Sequence, residues 1–293
     1  MSKHVSNATE HNRLNGGVLV IGDNSFELPF IKRTRKQISQ HHKLDFSRAV
    51  YAMNDEGLKE VVHLNPHITH LDLGRCDKIT DVGTVCLHGL KNLKYLNLYG
   101  CYELTDISHI MRLTFLTRLN LSGMNDVSSS ALRELSKLTR LQQLHLSDND
   151  KVDDEVIKSI SQLQRLTHLN LSLLFGRISN DGLYCVAAMP VLTHLNLYCC
   201  TNITADIFSR FGQGLQVLIL QNERKLMKDL YCHIHNIGTL QVVGGIRPIE
   251  FDDGSGDDSD DESVPIFSRE EWHDLKDRGV KIDNDYINFP MTM

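Results

Sequence analysis

No apolar run in the chain approaches the ~18 residues that a membrane-crossing helix needs. The opening stretch MSKHVSNATEHNRLNGG has neither the apolar centre of a secretory signal nor the Arg-rich, acid-poor character of a transit peptide. No membrane partner is expected, and the reading is a cytoplasmic protein, with the nucleus as the second compartment. The signatures of common chemistries are missing too: there is no P-loop, no GxSxG elbow, no HExxH and no CxxC pair. CHIH at 232–235 is the nearest approach to a metal cluster, but its spacing fits no standard zinc knuckle. The expectation is therefore a non-enzymatic protein, with no catalytic residues, no metal and no cofactor. The seven cysteines are odd in number and scattered, which favours reduced thiols over a disulfide framework.

A concentrated basic face is also lacking, so nucleic acid is not an expected partner. The formal charge is −6, but FDDGSGDDSDDES (251–263) carries six Asp and one Glu, and without it the chain stands at +1. Residues 1–43 hold seven Lys and Arg against three acids, with KRTRK at 32–36 readable as a nuclear import signal or as a solvated helix face. The acidic run has too few order-promoting residues to fold and lacks the alternating ligands of an EF-hand. It is expected to be a disordered insertion able to reach a basic partner.

What is abundant is leucine at a fixed interval. LxL pairs begin at Leu71, Leu96, Leu119, Leu144, Leu169, Leu195 and Leu218, spaced by 25, 23, 25, 25, 26 and 23 residues. Weaker copies stand at Leu19, Leu44 and Leu240, and VKI at 280–282 offers one more. A period in the twenties with LxxLxL is the mark of a leucine-rich repeat solenoid, here of about ten repeats. Each unit has a second half with helical spacing, as in Ile107, Ile110, Leu113 and Leu116 or Val156, Ile160, Leu163 and Leu166. Thr, Ser or Asp stands ahead of these runs in ITDVG, LTDIS, VSSSA, VDDEV, ISNDG and ITADI, where it can cap the first free amides. Helices are wider than strands, so the fold class is α/β: a curved arc with parallel strands on the concave face and helices on the convex face.

The repeat also explains most of the cysteines. Cys76, Cys101 and Cys200 share one position with Met124, Asn149, Leu174 and Glu223, three residues past the second leucine of LxL. A small, weakly polar side chain suits a place where the chain turns over the core. In LTHLNLYCC (192–200), Cys200 is then structural, and Cys199, pointing away from it, is the candidate reactive thiol.

LKYLNLYGCYELTDISHI and ITHLDLGRCDKITDVG resemble the cysteine-containing subfamily of leucine-rich repeats, known from F-box/leucine-rich-repeat proteins and the antagonist-of-mitotic-exit family. The resemblance runs over 64–222 and implies a curved protein-binding solenoid and, more loosely, recognition of targets for ubiquitin ligation. An F-box is not recognisable ahead of the repeats, where FELPFIKRTRKQISQHHKL offers one LP and no apolar helix pattern.

Residues flanking the buried leucines alternate onto the concave face. The column before LxL holds His70, Tyr95, Arg118, Gln143, His168 and His194; the column after it holds Tyr99 and Tyr198; and His145 interrupts a column otherwise rich in Asn. Aromatic and Arg side chains are the residue types that anchor protein interfaces, so these nine form the expected partner-binding face. The Asn column reads as scaffolding, with side-chain amides satisfying one another between strands.

The expected organisation is an N-terminal extension and capping repeat over 1–43, the solenoid over 44–250, the acidic insertion over 251–263, and a C-terminal capping segment over 264–293. In the last, Ser268 and Glu271 form a capping box and Trp272 turns inward. The expected function is binding of one or more proteins as an adaptor or substrate-recognition subunit. A structural or assembly subunit of a large complex and an inhibitor-type enzyme regulator are the alternatives.

Overall fold

The structure, a computed structural model, describes residues 12–15, 18–22, 41–220, 229–244 and 269–283. The strands are β1 (Asn12–Asn15), β2 (Val18–Gly22), β3 (Lys43–Arg48), β4 (His70–Asp72), β5 (Tyr95–Asn97), β6 (Arg118–Asn120), β7 (Gln143–His145), β8 (His168–Asn170), β9 (His194–Asn196), β10 (Val217–Ile219), β11 (Val242–Gly244) and β12 (Lys281–Asp283). They form one open sheet in sequence order, parallel from β2 to β12. This is a leucine-rich repeat solenoid arc. β1, which the leucine pattern does not mark, pairs antiparallel with β2.

The leucines set the register. Leu44, Leu71, Leu96, Leu119, Leu144, Leu169, Leu195 and Leu218 are successive Cα partners and each is fully buried. A one-residue slip would turn this row onto the other face, so the rungs cannot drift. One mark is corrected: Val243, not Leu240, is the partner of Leu218, and Leu240 takes the place that Leu93 and Leu116 fill in their repeats. A strand does follow at VKI, but Ile282 and not its first residue, Val280, continues the row from Val243.

The helices are α1 (Asp55–Leu64), α2 (Asp81–Thr84), α3 (Ser129–Arg133), α4 (Asp154–Ile160), α5 (Asn180–Ala187), α6 (Leu230–Ile234) and α7 (Arg269–Asp277). Their lengths track the repeat spacing. Leu44 and Leu71 are 27 residues apart and enclose a ten-residue helix; Leu169 and Leu195 are 26 apart and enclose one of eight. The two 23-residue repeats hold only 3-10 turns, Ile110–Arg112 and Ala205–Arg210. The helix expected from Ile107 to Leu116 is corrected accordingly. Strands and turns take a fixed share of each repeat, and a 3-10 turn spans the remaining gap with fewer residues, at ~2.0 Å rise against ~1.5 Å.

Two ladders tie the repeats together. The cap residues work as the sequence suggested at Thr80, Ser128, Asp153 and Ser179, each accepting from a first-turn amide. The acid after the cap reaches into the next repeat. Asp55 accepts from Thr80 N and Oγ1, Asp81 from Thr105 N and Oγ1, and Asp154 from Ser179 N (2.9 Å) and Oγ (2.7 Å). Glycine makes room for it: a Cβ on Gly182 would lie 2.4 Å from Asp154 Oδ1.

The second ladder runs along the turn after each strand. Arg75, Gly100, Gly123, Asp148, Leu173 and Cys199 all have φ between 55° and 75°. In this left-handed turn the amides of Gly100, Gly123, Asp148 and Leu173 donate to Ser122, Ser147, Ser172 and Tyr198 O of the next repeat. The following residue is thrown inward, which accounts for LTHLNLYCC: Cys199 makes the turn and Cys200 fills the core. Cys76, Cys101 and Cys200 Sγ donate to Phe46, Leu73 and Leu171 O, one repeat back, and Asn149 Nδ2 likewise to Leu121 O. Burial pushes the Cys101 thiol up to about 12 and that of Cys76 higher.

Of the expected N-terminal extension and capping repeat over 1–43, β1, β2 and residues 41–43 are described, and β2 joins the sheet at β3. The rest of that segment, KRTRK included, lies outside the described residues, as do the acidic insertion at 251–263, Ser268 and the Trp272 side chain. Within 269–283, Leu275 and Val280 are buried and join the main core.

Candidate functional site

The concave face is built from the strand columns that alternate away from the core. Its first column is organised by Thr-His pairs. Thr69, Thr167 and Thr193 each donate a hydroxyl proton to the carbonyl of the preceding repeat, at His42, Gln142 and Thr167. Each Oγ1 lies 2.8–2.9 Å from Nδ1 of the following His70, His168 or His194. A hydroxyl that has given away its proton can only accept, so Nδ1 carries the hydrogen and Nε2 is left as an acceptor. Burial, with Lys43, Arg118 and Lys94 nearby, lowers His70 to about 4, and burial with His194 beside it lowers His168 to about 4. Burial also depresses His194. All three are neutral at pH 7.

Adjacent strands lie about 4.8 Å apart, so first-column rings cover one another. His168 and His194 stack with centroids 3.9 Å apart. His70 stacks on Tyr95 at 5.8 Å, Arg118 lies over the Tyr95 ring at 5.5 Å, and Arg118 donates to His70 Nε2 at 3.0 Å. This stacking corrects part of the expected face. Tyr95 is only 2% exposed, His70 8% and His145 5%, so none of the three stands open as an anchor. The Tyr95 hydroxyl donates to Asp72, a buried carboxyl raised by desolvation that also accepts from Asn97 Nδ2 and Gly74 N. Tyr99 is 39% exposed, and Arg118, Gln143, His168, His194 and Tyr198 are half-buried.

The Asn column is scaffolding by a different route from the one expected. Asn97, Asn120, Asn170 and Asn196 each accept through Oδ1 from the backbone amide two residues on, closing the strand end in an Asx turn. Asp45 and Asp72 do the same at the N-terminal end. At the centre of the face Gln143 Oε1 and Ser122 Oγ are sealed from solvent without a hydrogen-bond partner.

The chemistry of the face is graded. Lys43, Lys94 and Arg118 cluster at the N-terminal end, neutral His, Gln, Asn and Ser occupy the middle, and Val217 and Ile219 pack with Tyr198 near the C-terminal end as an apolar group separate from the core. Among the described residues, no three His, Cys, Asp or Glu side chains converge as metal ligands. CHIH is dispersed along α6: Cys232 is exposed, His233 meets Ser209 Oγ, and the His235 ring stacks on Tyr231. No described helix is long and apolar enough to cross a membrane.

Residues 64–87 match the family model described as leucine-rich repeat. No curated protein matches the chain. Among solved structures, an internalin (inlF) of Listeria monocytogenes is similar at 21% identity and a TM-score of 0.54, over 92% of this chain and 66% of that one. TLR13, solved in complex with ssRNA13, is similar at 22% identity and 0.54, over 77% of this chain and 35% of that one. At these identities the likeness concerns the fold, and the chain spans 66% of the internalin and about a third of TLR13.

Proposed function

We propose that this leucine-rich repeat solenoid is a non-enzymatic scaffold that binds a protein partner through its concave face, and that it serves as an adaptor or substrate-recognition subunit. The observation that carries the reading is a row of amphipathic side chains fixed by the repeat itself. Thr clamps orient the histidines, Tyr95 and His70 seat Arg118, and the Asx turns hold the strand ends. Side chains locked before binding lose little entropy on contact, which is where rigid interfaces gain affinity. The repeat resemblance favours a place in a ubiquitin-ligase-type assembly, and a structural subunit of a larger complex is the competing assignment.

Affinity purification of the full chain, followed by cross-linking mass spectrometry of the recovered complex, tests both points. Cross-links from Lys43, Lys94 or Lys281 to one stoichiometric partner support concave binding, and ligase subunits among the recovered proteins support the adaptor role. Cross-links confined to convex lysines such as Lys137 and Lys158 would refute the reading.

A further inference from the structure

The fold sorts charge between the two edges of the sheet. Residues 87–94, 110–117, 135–142 and 160–167 lead into β5, β6, β7 and β8, and they hold Lys91, Lys94, Arg112, Lys137, Arg140 and Arg165 with no Asp or Glu. All six cations are exposed. The segments of equal length that leave the same strands, 98–105, 121–128, 146–153 and 171–178, hold five acids, from Glu103 to Asp153, against Lys151 and Arg177. Because these strands are parallel and in register, every entering turn falls on one edge and every leaving turn on the other. The entering turns share one geometry. Leu93, Leu116, Leu141 and Leu166 each donate to the leucine carbonyl three residues back, and the amides of Thr117, Gln142 and Thr167 donate to Lys94, Thr117 and Gln142 O of the preceding repeat. Phe115, Arg140 and Arg165, each three residues ahead of a strand, therefore form a column, in which Arg140 lies 4.3 Å over the exposed Phe115 ring. Of the six cations, Lys137 alone is in an ion pair among the described residues, with Glu134.

We propose that this entering edge docks an acidic segment of the protein partner, an inference that rests on the concave-binding reading and adds the partner's chemistry to it. From β5 to β8 is three strand steps, about 14 Å, the span of roughly four to five residues of extended chain. The screening length is ~8–10 Å, so cations on neighbouring rungs act on one ligand together. A short run of Asp and Glu laid along this edge meets a cation at every rung, and the acids of the opposite edge repel it from there. Lys94 directly precedes Tyr95 of the first concave column, so the edge runs into the concave face and one partner can contact both. Surfaces that take single-stranded nucleic acid add open aromatic faces on which bases stack. Phe115 is the one Phe, Tyr or Trp in these four turns, and Arg140 occupies a face of it. A planar guanidinium held against a ring is suited instead to bidentate contact with a carboxylate.

The test uses a fluorescein-labelled peptide of ten glutamates and the full chain, read by fluorescence anisotropy at low and physiological salt. Three variants each lose two exposed cations: Arg140→Gln with Arg165→Gln, Lys91→Gln with Arg112→Gln, and, away from the edge, Lys151→Gln with Lys158→Gln. Either edge pair should weaken binding about tenfold at low salt and less at physiological salt, while the third pair should leave it within about twofold. Equal losses from all three would overturn the proposal as attraction to net charge. A peptide that the wild-type chain does not bind would overturn it outright. Preferential binding of an oligouridylate over the peptide would overturn it in favour of a nucleic acid. A chain lacking 252–262 that binds the peptide at least tenfold more tightly than wild type would assign the edge to the chain's own acidic stretch and overturn the external partner. Peptide binding indifferent to the edge pairs, with the natural partner still cross-linked to Lys43 or Lys281, would refute the edge alone. Cross-links confined to the convex side would refute the underlying reading.

Discussion

Replacing Gly182 by Ala should destabilise the wild-type chain and stabilise one that already lacks the Asp154 carboxylate. Gly182 stands in the first turn of α5, where alanine is intrinsically preferred to glycine by ~0.5–1 kcal/mol. Its added Cβ would lie 2.4 Å from Asp154 Oδ1, so the carboxylate must leave the position from which it holds Ser179 N and Oγ. Losing two charge-assisted bonds at a half-buried repeat junction costs about 2–4 kcal/mol. Gly182→Ala alone should therefore lose about 1–3 kcal/mol. In an Asp154→Ala background the next contact is the Asp154 Cα at 3.4 Å, an ordinary distance, and the same substitution should gain ~0.5–1 kcal/mol. Urea unfolding of the four chains of this double-mutant cycle gives the coupling directly, provided the slope of the transition is conserved. An effect of Gly182→Ala with the same sign and size in both backgrounds would refute the inter-repeat carboxylate ladder.

Three further outcomes are expected. Leu173 makes the left-handed turn at φ 59° and is 37% exposed, so Leu173→Gly should raise stability by about 1 kcal/mol, while Gly123→Leu in the same column should lower it; thermal scans reading both shifts downward would contradict this. His145 and His168 are held near 4 in the folded chain against an ordinary value of 6.5, so the unfolded chain takes up protons first as pH falls. Stability is then full above pH 6.5 and declines toward pH 4, by ~3 kcal/mol for the buried His145 alone, and urea midpoints for His145→Gln should flatten that decline. An aromatic disulfide reagent should label Cys232 at once and reach Cys76, Cys101 and Cys200 only on unfolding; protected thiols released by a chelator would instead mean bound metal.

The rungs were legible because the strand leucines have no alternative: an apolar residue every 23–26 positions must face one core, and Leu71 to Leu218 do. The end of the row was misread at Leu240, where VV follows a lone leucine and the LxL mark is lost. The left-handed column was illegible because Arg, Gly, Gly, Asp, Leu and Cys occupy it, and backbone hydrogen bonds between repeats, not residue type, impose the conformation. The Asp ladder was half legible. Thr80-Asp81 and Ser179-Asn180 announce helix caps, but their reach into the next repeat depends on how closely repeats stack. The concave columns were correctly identified as columns. Their depth was not, because alternation gives a side chain's direction and says nothing of the neighbour 4.8 Å away that covers it. Tyr95 is the sharpest instance, reading as an exposed anchor and lying instead between His70 and Arg118 with its hydroxyl on Asp72. Truncating it would test packing, and Tyr99 and Tyr198 are the positions that test binding.

The central claim, partner binding through the concave face, is tested most directly by quantitative affinity purification of three chains of equal thermal stability. These are the wild type, a concave variant with Tyr99→Glu and Tyr198→Glu, and a convex variant with Val82→Glu and Tyr184→Glu at exposed helical positions. A stoichiometric partner should be recovered with the wild-type and convex chains and depleted at least tenfold with the concave chain. Retention by the concave chain together with loss from the convex one would contradict it.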